Sequence, residues 1–191
     1  MDVLTAIHSR RSNGLVDDTE VPEDVISQVL EAGTWAPSHH KTEPWRYFVM
    51  TGDGRRRLGE AMAAIAAEEM TPEEQVEKQK NLDKQKEKPM RAPVVIAVAA
   101  EPSEEERVET LEEYGAVYAS IQNMLLAAHA LGLAAFWRTG SHCYHPKMNE
   151  QFGLGEQGKV LGLIYIGYPM REMKEGRRRP VEQVTTWITE A

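Results

Sequence analysis

Four short stretches of this chain gather residues whose chemistry calls for a partner. The first is "HSRRSNG", His8 to Gly14. Arginine offers a planar fork of donors and stays charged, so Arg10 and Arg11 with Ser12 suit a phosphate. The same cations would also complement the dipole at the C-terminus of a helix ending there, and on this cluster alone that simpler use stands ahead. The second stretch is "APSHHKTEPWRYFV", Ala36 to Val49, with two histidines, a lysine and a glutamate in a proline-bounded loop. His39, His40 and Glu43 are metal-ligand types, but neither an HExxH helix nor a paired-cysteine spacing accompanies them, so no metal is expected. Two readings remain: a polar loop capping the next strand, or a wall of donors and acceptors at the edge of a heteroaromatic ring.

The third stretch is "FWRTG", Phe136 to Gly140. Phe136 and Trp137 read equally well as core. Arg138, directly after an apolar run, is harder to dismiss, because a buried guanidinium demands an anionic or polar partner. Thr139 and Gly140 would let a ligand approach the backbone. The fourth is "GRRRP", Gly176 to Pro180, either a solvated turn or the second half of a phosphate site. His142, Cys143 and His145 lie together in sequence, yet nothing supplies acid–base partners or ligand spacing, so no nucleophile and no metal site is assigned there.

These stretches must be positioned by regular elements. "DVLTAIHSR" predicts a short helix with Val3, Leu4 and Ile7 on one side. "PEDVISQVLEAGTWAP" predicts a second, with Pro22 near its first turn, Glu23 and Asp24 favouring the positive end of the dipole, and Pro37 as the stop. "RYFVMT" reads as a strand followed by a "GDGR" turn and a helix from "RRLGEAMAAIAAEEM". In the span from Glu68 to Arg91, 13 of 24 residues are charged, which predicts a solvated helix or flap; a lid over a pocket is the functional alternative. "APVVIAVAA" reads as a central strand. A long helix is expected from Glu104 to Leu131, spanning about 42 Å. Gly115 and Ala119, one turn apart, would let another backbone come close, and Gly132 would cap its end. "LAAFWRTG" and "KVLGLIYIGYP" read as further strands around a short "HPKMNEQFGLG" helix, and "VTTWIT" as a final strand. Without strict strand–helix alternation, repeats or an interdomain linker, the expectation is a single α+β domain over 1–191.

Composition narrows the partners. A net charge of −8 argues against nucleic acid or an anionic membrane surface as the main partner. One cysteine allows no intrachain disulfide and fits a reducing compartment. The absence of an apolar run of about 18 residues argues against a membrane helix. The N-terminal residues show no signal-peptide pattern. The expected location is cytoplasmic.

Taken in order, Arg-Arg-Ser after the first helix, Ala-Pro-Ser to Pro-Trp after the second, Trp-Arg-Thr-Gly at a strand end and a late Arg-Arg-Pro turn form a pattern. It resembles the FMN-dependent nitroreductase family, especially its small members of under 200 residues, over nearly the whole chain. The resemblance implies an α+β sandwich: a mostly antiparallel central sheet flanked by helices, with a long helix at the interface of a homodimer. It implies FMN at that interface and a C-terminal extension, residues 170–191, that embraces the partner subunit. Segment 68–91 becomes a charged helical flap or insertion. Arg10, Arg11 and Ser12 are implied to bind the ribityl phosphate and the ring's polar edge. His39 is implied to approach the flavin, Trp137, Arg138 and Thr139 to line it, and Arg177 and Arg178 to reach its phosphate. Lys41 and Glu43 depart from the Asn and Gln common in the family; a glutamate facing the ring would disfavour the anionic reduced flavin, so either Glu43 turns elsewhere, toward Arg46 or Lys41, or this branch tunes its flavin differently.

The implied activity is that of an NAD(P)H oxidoreductase passing a hydride through FMN, by a ping-pong scheme, to an electron-poor small molecule such as a nitroaromatic or quinone. No catalytic side chain is required, since protons can come from water. One alternative keeps the flavin and changes the substrate, as in an enone reductase or a dehalogenase. Another is a non-catalytic dimeric interaction protein, which predicts no bound cofactor.

Overall fold

The computed structural model describes residues 1–68 and 70–190; Glu69 and Ala191, which fall in the expected flap and C-terminal extension, lie outside the described residues. Four strands form one antiparallel sheet in the order β1 (Trp45–Thr51), β2 (Val94–Ala100), β4 (Lys159–Gly167), β3 (Ala134–Arg138). Every residue of β2 is buried, as its unbroken apolar run requires of a strand covered on both faces. Alternate side chains divide the interior. Val94, Ile96 and Val98 face α2 (Glu23–Thr34) and α6 (Thr110–Ala130), whereas Val95, Ala97 and Ala99 face α3 (Gly54–Ala67). Across β4 the register slips by one residue: Val98 pairs with Gly162 and Ala99 with Val160. Leu161 is thus an extra, bulged residue, and the bulge lets both Val160 and Leu163 serve the α3 face.

The outer edge of β3 is covered by the segment after α1 (Val3–Ser9). Ser12 bridges to Ala135 and the Asn13 N–H donates to the Ala135 carbonyl at 3.1 Å. The arginine cluster is thereby laid alongside the strand that carries Trp137 and Arg138.

Three expectations need correction. The long helix begins at Thr110, not Glu104, because the run Glu104–Arg107 offers no apolar side chain to pack; it ends as expected, with Gly132 at φ 80°. The apolar stripe of α1 is not buried: Val3, Leu4 and Ile7 are exposed, and only Ala6 is covered. "VTTWIT" forms no strand; a single 3-10 turn, Val181–Val184, is followed by irregular chain. It pairs with no strand of its own subunit among the described residues.

The charged segment folds as α4 (Pro72–Glu77), opened by a Thr71/Glu74 capping box, and α5 (Gln79–Glu87). α5 is docked. Leu82 is buried, and a Cβ on Gly59 of α3 would lie 2.2 Å from the Lys86 carbonyl oxygen, so only glycine permits this approach. A short turn, Lys88–Arg91, then feeds β2. The remaining helices, α7 (Ser141–Tyr144) and α8 (Pro146–Gln151), close the α3 face. From Arg171 to Glu190 every residue is exposed.

Candidate functional site

The end of α1 separates the two arginines. Arg11 donates through one terminal nitrogen to the carbonyls of His8 (2.6 Å) and Arg10 (2.8 Å), the helix-capping use of a cation. Arg10 makes no such bond, and its Nε is shielded from water without a partner. Burial, reinforced by the charges of Arg11 and Arg178, lowers the Arg10 pKa from its ordinary value. Among the described residues no carboxylate lies within ion-pairing distance of Arg10, Arg11, Arg177 or Arg178. An acidic protein that leaves a cluster of guanidinium groups uncompensated has built a place for an anion.

The C-terminal chain completes this cluster. Gly176 lies so close to Arg11 that an added Cβ would be 2.7 Å from the guanidinium carbon. A cleft of about 720 Å³ beside it is lined by Arg11, Asn13, His129 and Arg171. His129, in the last turn of α6, hydrogen-bonds Ser9 at 2.8 Å, and burial and the charges of Arg10 and Arg11 lower its pKa from the ordinary value. Arg178 donates to the Arg177 carbonyl, and both are exposed.

Along β3 the side chains diverge. The Trp137 indole lies flat on Gly162, where a Cβ would be 2.1 Å from the indole nitrogen. Its ring also meets Tyr118 at 5.7 Å, so it packs at the margin of the α2–α6 core, with its N–H unpartnered. Arg138 turns to the opposite face, its guanidinium 4.7 Å from the Phe136 ring and 5.1 Å from that of Tyr165. Thr139 and Gly140 are exposed at the strand end, with Gly140 at φ 113°.

His39 belongs elsewhere in the subunit. Its Nδ1 meets Glu112, in the first turn of α6, at 2.5 Å, and its ring stacks on His40 at 3.9 Å. The loop that holds it is strained: His40, Lys41 and Glu43 all have φ near +50–60°, a conformation that costs roughly 1–2 kcal/mol for an ordinary residue. Buried Glu113 pins the loop, accepting from Thr42 Oγ1 (2.5 Å) and the Ser103 N–H (3.1 Å). Glu43 forms no ion pair among the described residues; Arg46 binds Glu101 instead. Sequence reading passed over Glu112 and Glu113, whose visible signal was two acids opening a helix. From Glu112 to His129 the helix rises about 26 Å. Within one chain, His39 and the arginine cluster therefore stand at opposite ends of α6.

Comparison with known proteins assigns the family. The model of the "Nitroreductase family" matches residues 7–168. The chain belongs to the nitroreductase family. "Putative NAD(P)H nitroreductase YdjA" of Escherichia coli K12 is 31% identical over 191 residues, covering 99% of each chain. "Putative NAD(P)H nitroreductase YfhC" of Bacillus subtilis is 31% identical over 92% of this chain and 88% of its own. Among solved structures, a nitroreductase-like family protein from Bacillus cereus superposes with a TM-score of 0.84 at 28% identity, covering 100% of this chain and 97% of that one. A "putative nitroreductase in complex with fmn" from Desulfovibrio desulfuricans gives 0.74 at 27% identity, covering 100% and 99%. The observed sheet, with α2 and α6 on one face and α3 on the other, is the nitroreductase sandwich expected from the sequence.

Proposed function

We propose that this nitroreductase-family chain is an FMN-dependent NAD(P)H oxidoreductase acting on electron-poor small molecules such as nitroaromatics or quinones. The observation that carries this reading is the uncompensated arginine cluster laid beside β3, with Arg10 Nε buried and unpartnered. Arg10 and Arg178, with Arg177 and the backbone at Ser12, would hold a phosphate; the exposed Thr139–Gly140 strand end would leave room for a ring beside the sheet. Bound there, FMN supplies hydride transfer from NAD(P)H and then, in a ping-pong sequence, to the acceptor. The fixed positive charges of the arginines favour added negative charge in a partly dry site. Trp137, locked on Gly162, stiffens the strand that would back the ring.

The active form in this reading is a homodimer. His39 and Arg10 stand toward opposite ends of α6, which rises about 26 Å from Glu112 to His129, so the wall formed by His39 would come from His39 of the partner subunit. Three open surfaces support this: the α1 stripe of Val3, Leu4 and Ile7, the unobstructed face at Gly115, and the tail bearing Trp187 and Ile188, which are 86% and 87% exposed. Glu112 positions His39 by the short bond to Nδ1, and the strained loop is held in place by Glu113.

Titrating FMN into the apoprotein tests this reading. Saturation at one FMN per chain is expected. Arg10→Gln should weaken binding by about 1.5–3 kcal/mol, the worth of a hydrogen bond to a charged group. FMN affinity unchanged in that variant would refute the phosphate assignment.

A further inference from the structure

A second group of cations lies at the far end of β3 from the Arg10 cluster, on the α3 face of the sheet. A cavity of about 320 Å³ is lined by Lys88, Arg138, Thr139 and His142 over a floor of Met62 and Leu163. Two polar atoms there are shielded from water and lack a hydrogen-bond partner among the described residues: Arg138 Nε and His142 Nε2. Each leaves an unsatisfied group at a cost of about 1–3 kcal/mol if nothing enters.

Charge tells the same story as hydrogen bonding. Among the described residues no carboxylate lines the cavity. Glu68, just after α3, is already shared by His145 at 3.0 Å and Lys147 at 3.3 Å. Among the described residues Lys88 meets the neutral Gln85 amide oxygen and no carboxylate. Burial, with the charges of Arg91 and Arg138, holds the Lys88 pKa below its ordinary value, and burial, with Lys88 and His145, does the same for His142. The field in this cavity is positive from several sides.

We propose that the Lys88–Arg138–His142 cavity is a second anion site, separate from the Arg10 cluster, that takes a single oxyanion group, phosphoryl or carboxylate. Arg138 is preorganised between two aromatic rings, so its donors are held rather than searching. Lys88 adds a mobile ammonium from the docked α5 end and His142 a ring N–H. Two of these three, Arg138 and His142, hold a shielded nitrogen without a partner among the described residues. The site stands on this geometry alone and does not depend on the flavin reading.

Calorimetric titration of the full chain with inorganic phosphate, and separately with benzoate, tests the proposal. Saturable binding of at least one of them is expected; the tighter of the two identifies the phosphoryl or the carboxylate source. Lys88→Gln and Arg138→Gln should each weaken binding at this cavity at least tenfold, Lys88→Arg should restore most of the loss, and in Arg10→Gln, where phosphate binding at the flavin-phosphate cluster is weakened, this saturable site should remain. Lys88 is half-buried on a turn, so Lys88→Gln decides the matter even if Arg138→Gln fails to fold. Absence of saturable binding by both probes, binding wholly indifferent to Lys88→Gln, or loss of all saturable binding in Arg10→Gln would each overturn the proposal. The last outcome would assign the anion to the flavin-phosphate cluster instead.

Discussion

At the scale of residues, neighbours in sequence are divided by what their side chains can reach. Arg11 is anchored through one terminal nitrogen to the carbonyls of His8 and Arg10, whereas Arg10, one position earlier, makes no such bond; the Nε of each is shielded and unpartnered among the described residues. Trp137 and Arg138 point to opposite faces of the sheet because a strand alternates its side chains. Cys143 shows how burial settles reactivity. Its thiol sits against the Val160 carbonyl at 3.8 Å, and burial pushes its pKa up to about 12. Thiolate is then negligible at pH 8, so iodoacetamide should modify the native protein far more slowly than the protein unfolded in guanidinium; equal rates in the two states would contradict this. The residue types of the candidate site stand out in the sequence, because arginine pairs and a strand-end Trp-Arg-Thr are conspicuous in an acidic chain. What was not legible is direction. The division of labour between Arg10 and Arg11, the turn of Arg138 away from Trp137, and the partners Glu112 and Glu113 all depend on contacts between residues distant in sequence.

At the scale of elements, one glycine and one helix do most of the positioning. Gly59 lets α5 settle on α3 with backbone almost touching Cβ, and α5 leads directly into the turn that carries Lys88. Gly59→Ala would drive its methyl into the Lys86 carbonyl, which as backbone cannot swing aside. A loss of about 1–3 kcal/mol is expected, read as a fall in Tm by thermal denaturation; an unchanged Tm would show that α5 is not held as described. The helix α6 fixes the two ends of the site, the His39 loop at its start and His129 beside the arginines at its end. The strands, and most helix positions, followed from apolar period and from Pro and Gly punctuation. The start of α6 did not, because Glu104–Arg107 has helix-forming residues but nothing to pack against. Nor did the fate of "VTTWIT", whose β-branched residues satisfy strand propensity but which pairs with no strand of its own subunit among the described residues.

At the scale of the whole molecule, the exposed apolar residues are too many and too grouped to be casual. Val3, Leu4 and Ile7 on α1, and Val181, Val184, Trp187 and Ile188 on the tail, form surfaces that a soluble monomer seldom presents. In the proposed dimer the tail lies on the partner, and its arginines return to the phosphate cluster beside Gly176 and Arg11. Deleting residues 171–191 should therefore shift the protein toward monomer in analytical ultracentrifugation and weaken FMN retention at the same time. A truncated chain that stays dimeric and keeps its FMN would separate the tail from both roles.

The measurement that tests the central claim most directly is anaerobic reduction of the purified, FMN-loaded protein. On mixing with NADPH or NADH under nitrogen, the flavin absorbance in the visible should bleach, and adding a nitroaromatic or quinone should restore it. A protein that takes up no FMN, or whose bound flavin neither nicotinamide reduces, would contradict the account.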